Sequence, residues 1–458
     1  MRVMKFGGTS VGDGERILGA ARLVAERAGF DQGRGAPLAV VSAMGGVTDR
    51  LLAFSSASRA GDRAAAGEAL HALGEKHRGA VDAMALPGSV AVELRGAIEK
   101  ELVRLGELST GVSLLGELSP RTSDAVAAAG EILSSLLFTA AVEKAGAAAV
   151  RIDPRGVMPT DARFGAAVPD EARLVERMRE RVLPETSAGK VVVTGGFVGS
   201  APDGSATTLG RGGSDYSAAL FGAALADAGA DVEAIEIWTD VDGILTADPR
   251  IVPGARLLAE VSADEAAELA FFGAKVLHPA TIRPAVARGV PVVVRNTFRP
   301  EGTGTVVRRD VAGEGVRALA TRKGVAALFV QSPRMLLAAG FAARVFSVFE
   351  RRGVPVDVIT TSEVSISTTV DAKAPIDELV LDLSEFCDVT VLRRLAVVSV
   401  VGSRIRSTPG VAARVFGALR GVNVVLISQG ASDTNLTCVV SEDDSADALR
   451  LLHREFFE

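Results

Sequence analysis

The chain has 458 residues, 48% of them apolar, and a formal net charge of −6. That length suggests about three domains of roughly 150 residues, with ample apolar side chains for buried cores. The mild negative charge gives nucleic acid nothing to bind, and no apolar run reaches the ~18 residues that span a membrane. Two cysteines, Cys387 and Cys438, cannot build a disulfide framework. The four histidines, His71, His77, His278 and His453, lack metal-ligand spacing. The N-terminus enters a strand directly, without a leader. A cytoplasmic globular protein without a metal site of its own is expected.

Residues 1–297 alternate short apolar strands with Ala-rich helices, the pattern of an α/β domain with a largely parallel sheet. The first strand, 3–6, is broken by Gly7 and Gly8. Thr9 and Ser10 add hydroxyls, and Asp13 can cap a helix whose Ile17, Ala21 and Val24 recur at helical spacing. Glycines there let an anion approach backbone N–H groups at a helix start, and Lys5 adds a positive charge. The alternative is an ordinary tight turn, since neither G-x-x-x-x-G-K-[ST] nor G-x-G-x-x-G is present. Strands at 38–41, 191–193, 234–238 and 290–294 also end in small or polar residues. Ligands of open α/β sheets lie beyond the carboxyl ends of strands, so these ends point to one shared site.

Residues 48–137 read as helices packing on the sheet or forming a lid, broken at Pro87-Gly88. Glu131 opens an apolar helix, either as a ligand or as a carboxylate favoured by the helix dipole. Arg211 has glycines on both sides, and its planar fork suits a carboxylate or phosphate. Ser214 and Asp215 follow at a helix start, where Asp215 also reads as a cap. Asp240 and Asp242 lack the ligand spacing of a calcium loop. Lys275 ends a helix and either reaches phosphate or is simply solvated.

Residues 298–316 read as a linker. An internal repeat follows: Gly340-Phe-Ala-Ala-Arg-Val-Phe346 is echoed by Gly410-Val-Ala-Ala-Arg-Val-Phe416. Each unit reads strand–helix–strand–strand–helix, a ferredoxin-like arrangement. The first unit ends on a strand at 388–392. The second ends on a helix, so a spare strand at 317–322 is expected to complete it, with the first unit inserted into the second. Aligning the repeats sets Asp357 against Val425. Only the first unit thus offers a carboxylate to a basic ligand, unless Asp357 merely caps a strand.

Five stretches in order resemble the aspartokinase family. They are Lys5-Phe-Gly-Gly-Thr-Ser10, Thr208-Leu-Gly-Arg-Gly-Gly-Ser-Asp215, Trp238-Thr-Asp240, Phe272-Gly-Ala-Lys-Val-Leu-His-Pro279 and Ile359-Thr-Thr-Ser-Glu363. The resemblance runs essentially end to end and is strongest to the monofunctional, lysine-sensitive type, leaving no segment for a fused homoserine dehydrogenase. It implies an amino-acid-kinase fold followed by two α+β ACT domains. The implied boundaries are a catalytic domain at 1–297, a linker at 298–316, ACT domain 1 at 324–393, and ACT domain 2 at 317–323 plus 394–458.

The resemblance also implies the chemistry: MgATP phosphorylates the β-carboxylate of L-aspartate to 4-phospho-L-aspartate, opening the route to lysine, threonine and methionine. By resemblance, Lys5, Arg211 and Asp215 are catalytic. Ser42, Thr48, Glu131, Phe197, Arg211 and Ser214 hold aspartate. Lys5, Gly7, Gly8, Thr239, Asp240, Arg250 and Lys275 hold ATP, with Mg2+ carried by the nucleotide. Leu245 stands where the family often has tyrosine. Met335, Gly340, Phe341, Ala342, Val356, Asp357, Thr361, Ser362 and Glu363 form the implied effector site for L-lysine, between ACT domains of a homodimer. Ala342 is smaller than the leucine associated with that position, which leaves threonine or methionine open as effectors, and tetramers are open too. Competing readings are a kinase of the same fold acting on glutamate or acetylglutamate, and a non-catalytic amino-acid sensor.

Overall fold

Short Val- and Leu-rich runs bounded by glycine form strands covered by helices on both faces. In the computed structural model, which describes residues 1–30, 35–210, 212–273, 279–332 and 339–458, such strands build the first of two units. That unit comprises Met1–Gly243, Ala259–Ala263 and Leu277–Asp310. Its strands are β1 (Arg2–Phe6), β2 (Leu38–Val41), β3 (Ala149–Arg151) and β4 (Val191–Gly195), the hairpin pair β5 (Val198–Ser200) and β6 (Ala206–Thr208), then β7 (Ala234–Thr239), β8 (Glu260–Ser262), β9 (Val292–Asn296) and β10 (Thr305–Arg308). Eight of them form one sheet in the order β3-β4-β2-β1-β7-β9-β10-β8. Every neighbouring pair is parallel except β9 and β10.

β10 corrects the reading of 298–316 as a linker. Its Thr-Val-Val-Arg alternation buries Thr305 and Val307, and Gly304 at φ 71° turns the chain into it. The surrounding glycines and charges hid this short strand from composition alone.

The helix Ala129–Lys144 is apolar on all sides because it packs between the sheet and other helices. Among the described residues, 120–144 is the one helical stretch long and apolar enough to cross a membrane. Of its apolar window, 78% is buried inside the fold, as befits a core helix. Helices Val47–Arg59, Arg63–Ala83 and Gly88–Leu115 pack together in the same core, and Gly213–Asp227 packs against β1 and β7.

The second unit comprises Ile244–Leu258, Asp264–Val276 and Val311–Glu458. Its strands are β11 (Gly315–Gln331), β12 (Ile359–Thr361), β13 (Ser365–Asp371), β14 (Asp388–Ser403), β15 (Val424–Gln429) and β16 (Asn435–Ser441). They form one antiparallel sheet in the order β12-β13-β11-β14-β16-β15. Two ferredoxin-like halves share the long strands. Residues 325–331 of β11 pair with β13, and residues 318–323 pair with 396–401 of β14. The first half is therefore inserted into the second. The sequence repeat reflects two equivalent helix starts: Gly340 and Gly410 precede Phe341–Arg351 and Val411–Ala418 at φ 87° and 85°. Ala247 and Val252 join Leu319, Val398 and Leu449 in the core of the second half.

His77 is fully buried in the helix Arg63–Ala83, where its Nδ1–H donates to the Leu73 carbonyl at 2.7 Å. Burial pushes its pKa down to about 4. The unfolded chain thus binds the proton more readily. The stability this group contributes is full above about pH 6.5 and is lost as pH falls towards 4, by about 1.4 kcal/mol per unit of pKa difference. Urea titrations at pH 5 and pH 7 should show this loss, and His77→Gln should reduce it.

Candidate functional site

The parallel register brings the strand ends of the first unit level: Phe6 lies opposite Val41 and Trp238, Val41 opposite Gly195, and Trp238 opposite Arg295. Backbone bonds continue across the loops beyond. Gly7 N–H donates to the Trp238 carbonyl at 3.0 Å, Ser42 N–H to Phe6 at 3.1 Å, Gly196 N–H to Val41 at 2.9 Å, and Thr297 N–H to Thr239 at 2.8 Å. Glycine sets how close these loops come. A Cβ on Gly8 would stand 2.9 Å from the Ala43 carbonyl oxygen, and one on Gly196 would stand 2.8 Å from Ser214 Cα. A larger residue at either position would force the loops apart.

Charged groups converge in the space so formed. Lys5 is 8% exposed, and its Nζ lies 2.6 Å from Asp215 Oδ1, in the first turn of Gly213–Asp227. Glu131 is 4% exposed in the first turn of Ala129–Lys144. Burial pushes its carboxyl up to about 8, against the pull of backbone N–H groups of Ala43 and Glu131 and of the Lys5 charge. Gly195 packs against it, a Cβ there being 2.9 Å from Glu131 Cβ. Phe197 adopts φ 63°, unusual for a large side chain, and its N–H donates to Ser217 Oγ at 2.8 Å. Ser42 and Ser214 are half-buried, whereas Thr48 is exposed at the start of Val47–Arg59. Thr239 Oγ1 donates to exposed Asp240 at 3.2 Å. The first unit thus gathers Lys5, Gly7, Gly8, Ser42, Glu131, Phe197, Ser214 and Asp215 around its strand ends. Arg211 and Lys275 lie outside the described residues.

Asp124 was not singled out in the sequence. It is 3% exposed, and its carboxylate accepts from Gly165 N–H at 2.8 Å, Thr208 N–H at 2.9 Å and Thr208 Oγ1 at 2.8 Å. It therefore anchors the start of the loop leading to Ser214 and Asp215. A signal was present: Asp124 precedes Glu131 by seven residues, two helical turns, which sets both carboxylates on one face. Asp242 accepts from Asn296 Nδ2 at 2.7 Å and pairs with Arg299 at 2.8 Å, which fits a turn rather than a cation loop. Among the described residues no group of three His, Cys, Asp or Glu side chains is placed to hold a metal.

In the second unit, Arg250 is exposed and bonds Asp248 through Nε at 3.0 Å and Nη2 at 2.7 Å. Leu245 forms an antiparallel bridge with Leu257. Of the expected effector residues, Gly340, Ala342, Thr361, Ser362 and Glu363 are exposed, and Phe341 and Val356 are half-buried. Met335 lies outside the described residues. Asp357, its side chain 9% exposed, meets the guanidinium of Arg322 on β11. Burial raises its carboxyl above the usual range while Arg322 pulls it down. Local sequence pattern does not reveal this partner, which lies 35 residues away on β11. Arg322 also stacks over Phe271 at 5.4 Å, and Gly273, at φ 129°, fits against the Thr321 carbonyl.

The chain matches the amino acid kinase family over residues 1–296 and the ACT domain over 328–374 and 398–456. It is 38% identical to lysine-sensitive aspartokinase 3 of Escherichia coli, across 100% of this chain and 99% of that protein. It is 37% identical to chloroplastic aspartokinase 2 of Arabidopsis thaliana, across 100% of this chain and 84% of that one. Crystal structures of E. coli aspartokinase III superpose over the whole of both chains. The T-state complex with lysine and aspartate gives a TM-score of 0.85 at 38% identity, and the R-state complex with aspartate and ADP gives 0.82 at 37%.

Removing the Asp124 carboxylate would leave three donors unpaired, the two from Thr208 buried. Asp124→Ala should lower stability by about 3 kcal/mol in urea titrations, and Asp124→Asn, which keeps one acceptor oxygen, by less.

Proposed function

The chain belongs to the aspartokinase family, and from that premise we infer how its own residues carry the phosphorylation of L-aspartate by ATP. One β-carboxylate oxygen of aspartate attacks the γ-phosphorus, and the bond from that phosphorus to the bridging oxygen breaks. The products are 4-phospho-L-aspartate and ADP, which leaves with the electron pair. The attacking carboxylate is already ionised at neutral pH, so no general base is required. Such a transfer depends on positioning and charge neutralisation.

The observation that carries this reading is the nearly buried Lys5–Asp215 pair at the convergence of the strand ends, beside Glu131. In our reading the Lys5 ammonium neutralises charge where the β-carboxylate meets the γ-phosphate, and Asp215 holds it there. The amide of Gly8 faces phosphate oxygens, and Gly7, whose N–H is held by the Trp238 carbonyl, lets the nucleotide approach the loop. Arg211 forks onto the α-carboxylate of aspartate, with Ser42, Thr48, Phe197 and Ser214 around it. Thr239, Asp240, Arg250 and Lys275 hold nucleotide, and magnesium enters with ATP. Residues 1–297 form the catalytic domain in this reading. Residues 324–393, and 317–323 plus 394–458, form two ACT domains that pair in a cytoplasmic homodimer. Lysine, to which the E. coli relative is sensitive, is taken as the effector, bound by Asp357 with Gly340, Phe341, Ala342, Val356, Thr361, Ser362 and Glu363, and with Met335 closing the pocket.

Glu131 gives the binding step a proton balance. With its carboxyl at about 8, Glu131 is mostly protonated in the empty site at pH 7. The ammonium of aspartate favours the ionised form, so binding releases a proton.

Aspartyl hydroxamate should form with MgATP and aspartate but not with glutamate or acetylglutamate. Product from glutamate instead would overturn the substrate assignment. Lys5→Met should lower turnover about 1,000-fold, some 4 kcal/mol. The apparent affinity for aspartate should rise by up to about tenfold per pH unit up to pH 8 and then level off. Glu131→Gln should flatten that profile. Asp357→Ala should raise the lysine concentration for half-inhibition more than about tenfold while uninhibited turnover persists.

A further inference from the structure

We propose that a cavity on the opposite face of the first unit's sheet binds a small zwitterion, its carboxylate held inside and its ammonium group at the mouth. The cavity has a volume of about 300 Å³, and Met4, Trp238, Arg27 and Arg295 are among its lining residues. Met4 and Lys5 are consecutive on β1, so their side chains point to opposite faces. The cavity is therefore separate from the Lys5 site.

Charge carries the inference. Glu236 on β7 is fully buried. Its Oε1 accepts from Arg2 Nη1 at 2.5 Å and its Oε2 from Trp238 Nε1 at 3.0 Å. Arg2 also bonds Glu233. Arg27 Nη2 and Arg295 Nε stand 3.6 and 3.8 Å from the same Oε1, too far for hydrogen bonds. Among the described residues, three guanidiniums (Arg2, Arg27, Arg295) thus share two carboxylates (Glu233, Glu236). Arg295 Nε is buried with no hydrogen-bond acceptor. The side chains of Arg27 and Arg295 are only 26% and 22% exposed, and both line the cavity.

Guanidinium donors withdrawn from water are costly unless an acceptor replaces it. A planar carboxylate meets such donors as a fork. Exposed Glu26 and Glu301 also line the cavity, so the surplus of positive charge lies inside and the negative charge at the mouth. A bare anion satisfies only the first. An amino acid, with its charges about one carbon apart, satisfies both. Between them, the indole of Trp238, over which Arg295 sits at 5.7 Å, offers an apolar wall. Occupancy would be felt at the catalytic loop, because the Trp238 carbonyl accepts from Gly7 N–H and Ser10 Oγ.

Trp238 is the only tryptophan in the chain, so its fluorescence reports on this cavity. The full chain, saturated with aspartate and lysine, is titrated with each other common amino acid and separately with inorganic phosphate, following fluorescence and heat. Saturable binding of at least one amino acid at about millimolar concentration or below is expected. Arg27→Met and Arg295→Met should each weaken it at least about tenfold. Glu301→Gln should weaken it without strengthening phosphate binding, and turnover of Arg27→Met without added ligand should stay near that of the parent chain. No saturable response to any amino acid would overturn the proposal and leave a purely structural ion-pair cluster. Equal binding in both arginine variants, or binding of phosphate alone, would overturn it as well.

Discussion

A lysine ammonium held almost dry needs a counter-charge at hydrogen-bond distance, and much of the first unit arranges one for Lys5. The strand β1 lies in the middle of the sheet, so Lys5 leaves it into space bounded by loops from β2, β4 and β7. Asp215 reaches Lys5 at 2.6 Å only because Gly213–Asp227 begins against Gly196, where no side chain intervenes. Asp124 holds the loop that leads there. Burial that would be unfavourable for a lone charge thereby becomes tolerable, and the charge is ready for phosphate.

Glu131 shows the opposite response to the same environment. Among the described residues it has backbone donors and the Lys5 charge but no ion pair of its own, and burial holds its carboxyl at about 8. Lys5 has a carboxylate to match its charge, while Glu131 awaits a cation. Such a division lets a zwitterionic substrate complete the site, and this unmet need makes Glu131 sensitive to pH.

The second unit repeats the theme with a different pair. Asp357 is screened from solvent and meets Arg322, which in turn stacks on Phe271. Phe271 ends the helix Ala263–Phe271, and Gly273 lies against the backbone beside Arg322. The candidate effector carboxylate is thus connected by packed residues to the Phe-Phe-Gly stretch within one unit. A ligand whose ammonium competes for Asp357 would act on that connection.

The sequence by itself determined the alternation of strands and helices, the internal repeat, and the inserted order of its halves, because each rests on local periodicity and on glycines that start helices. Lys5, Glu131 and Asp215 were also legible, since Lys5 immediately precedes a glycine break and the other two open helices. Only the tertiary structure decided what these residues meet. It closed Lys5 onto Asp215 across 210 positions of sequence, gave Asp357 its Arg322, and exposed the role of Asp124. It also turned part of an apparent linker into β10 and set three arginines around Glu236. Pairings of this kind depend on register between distant strands. No local pattern encodes that register, because it emerges only when the whole sheet buries its two faces.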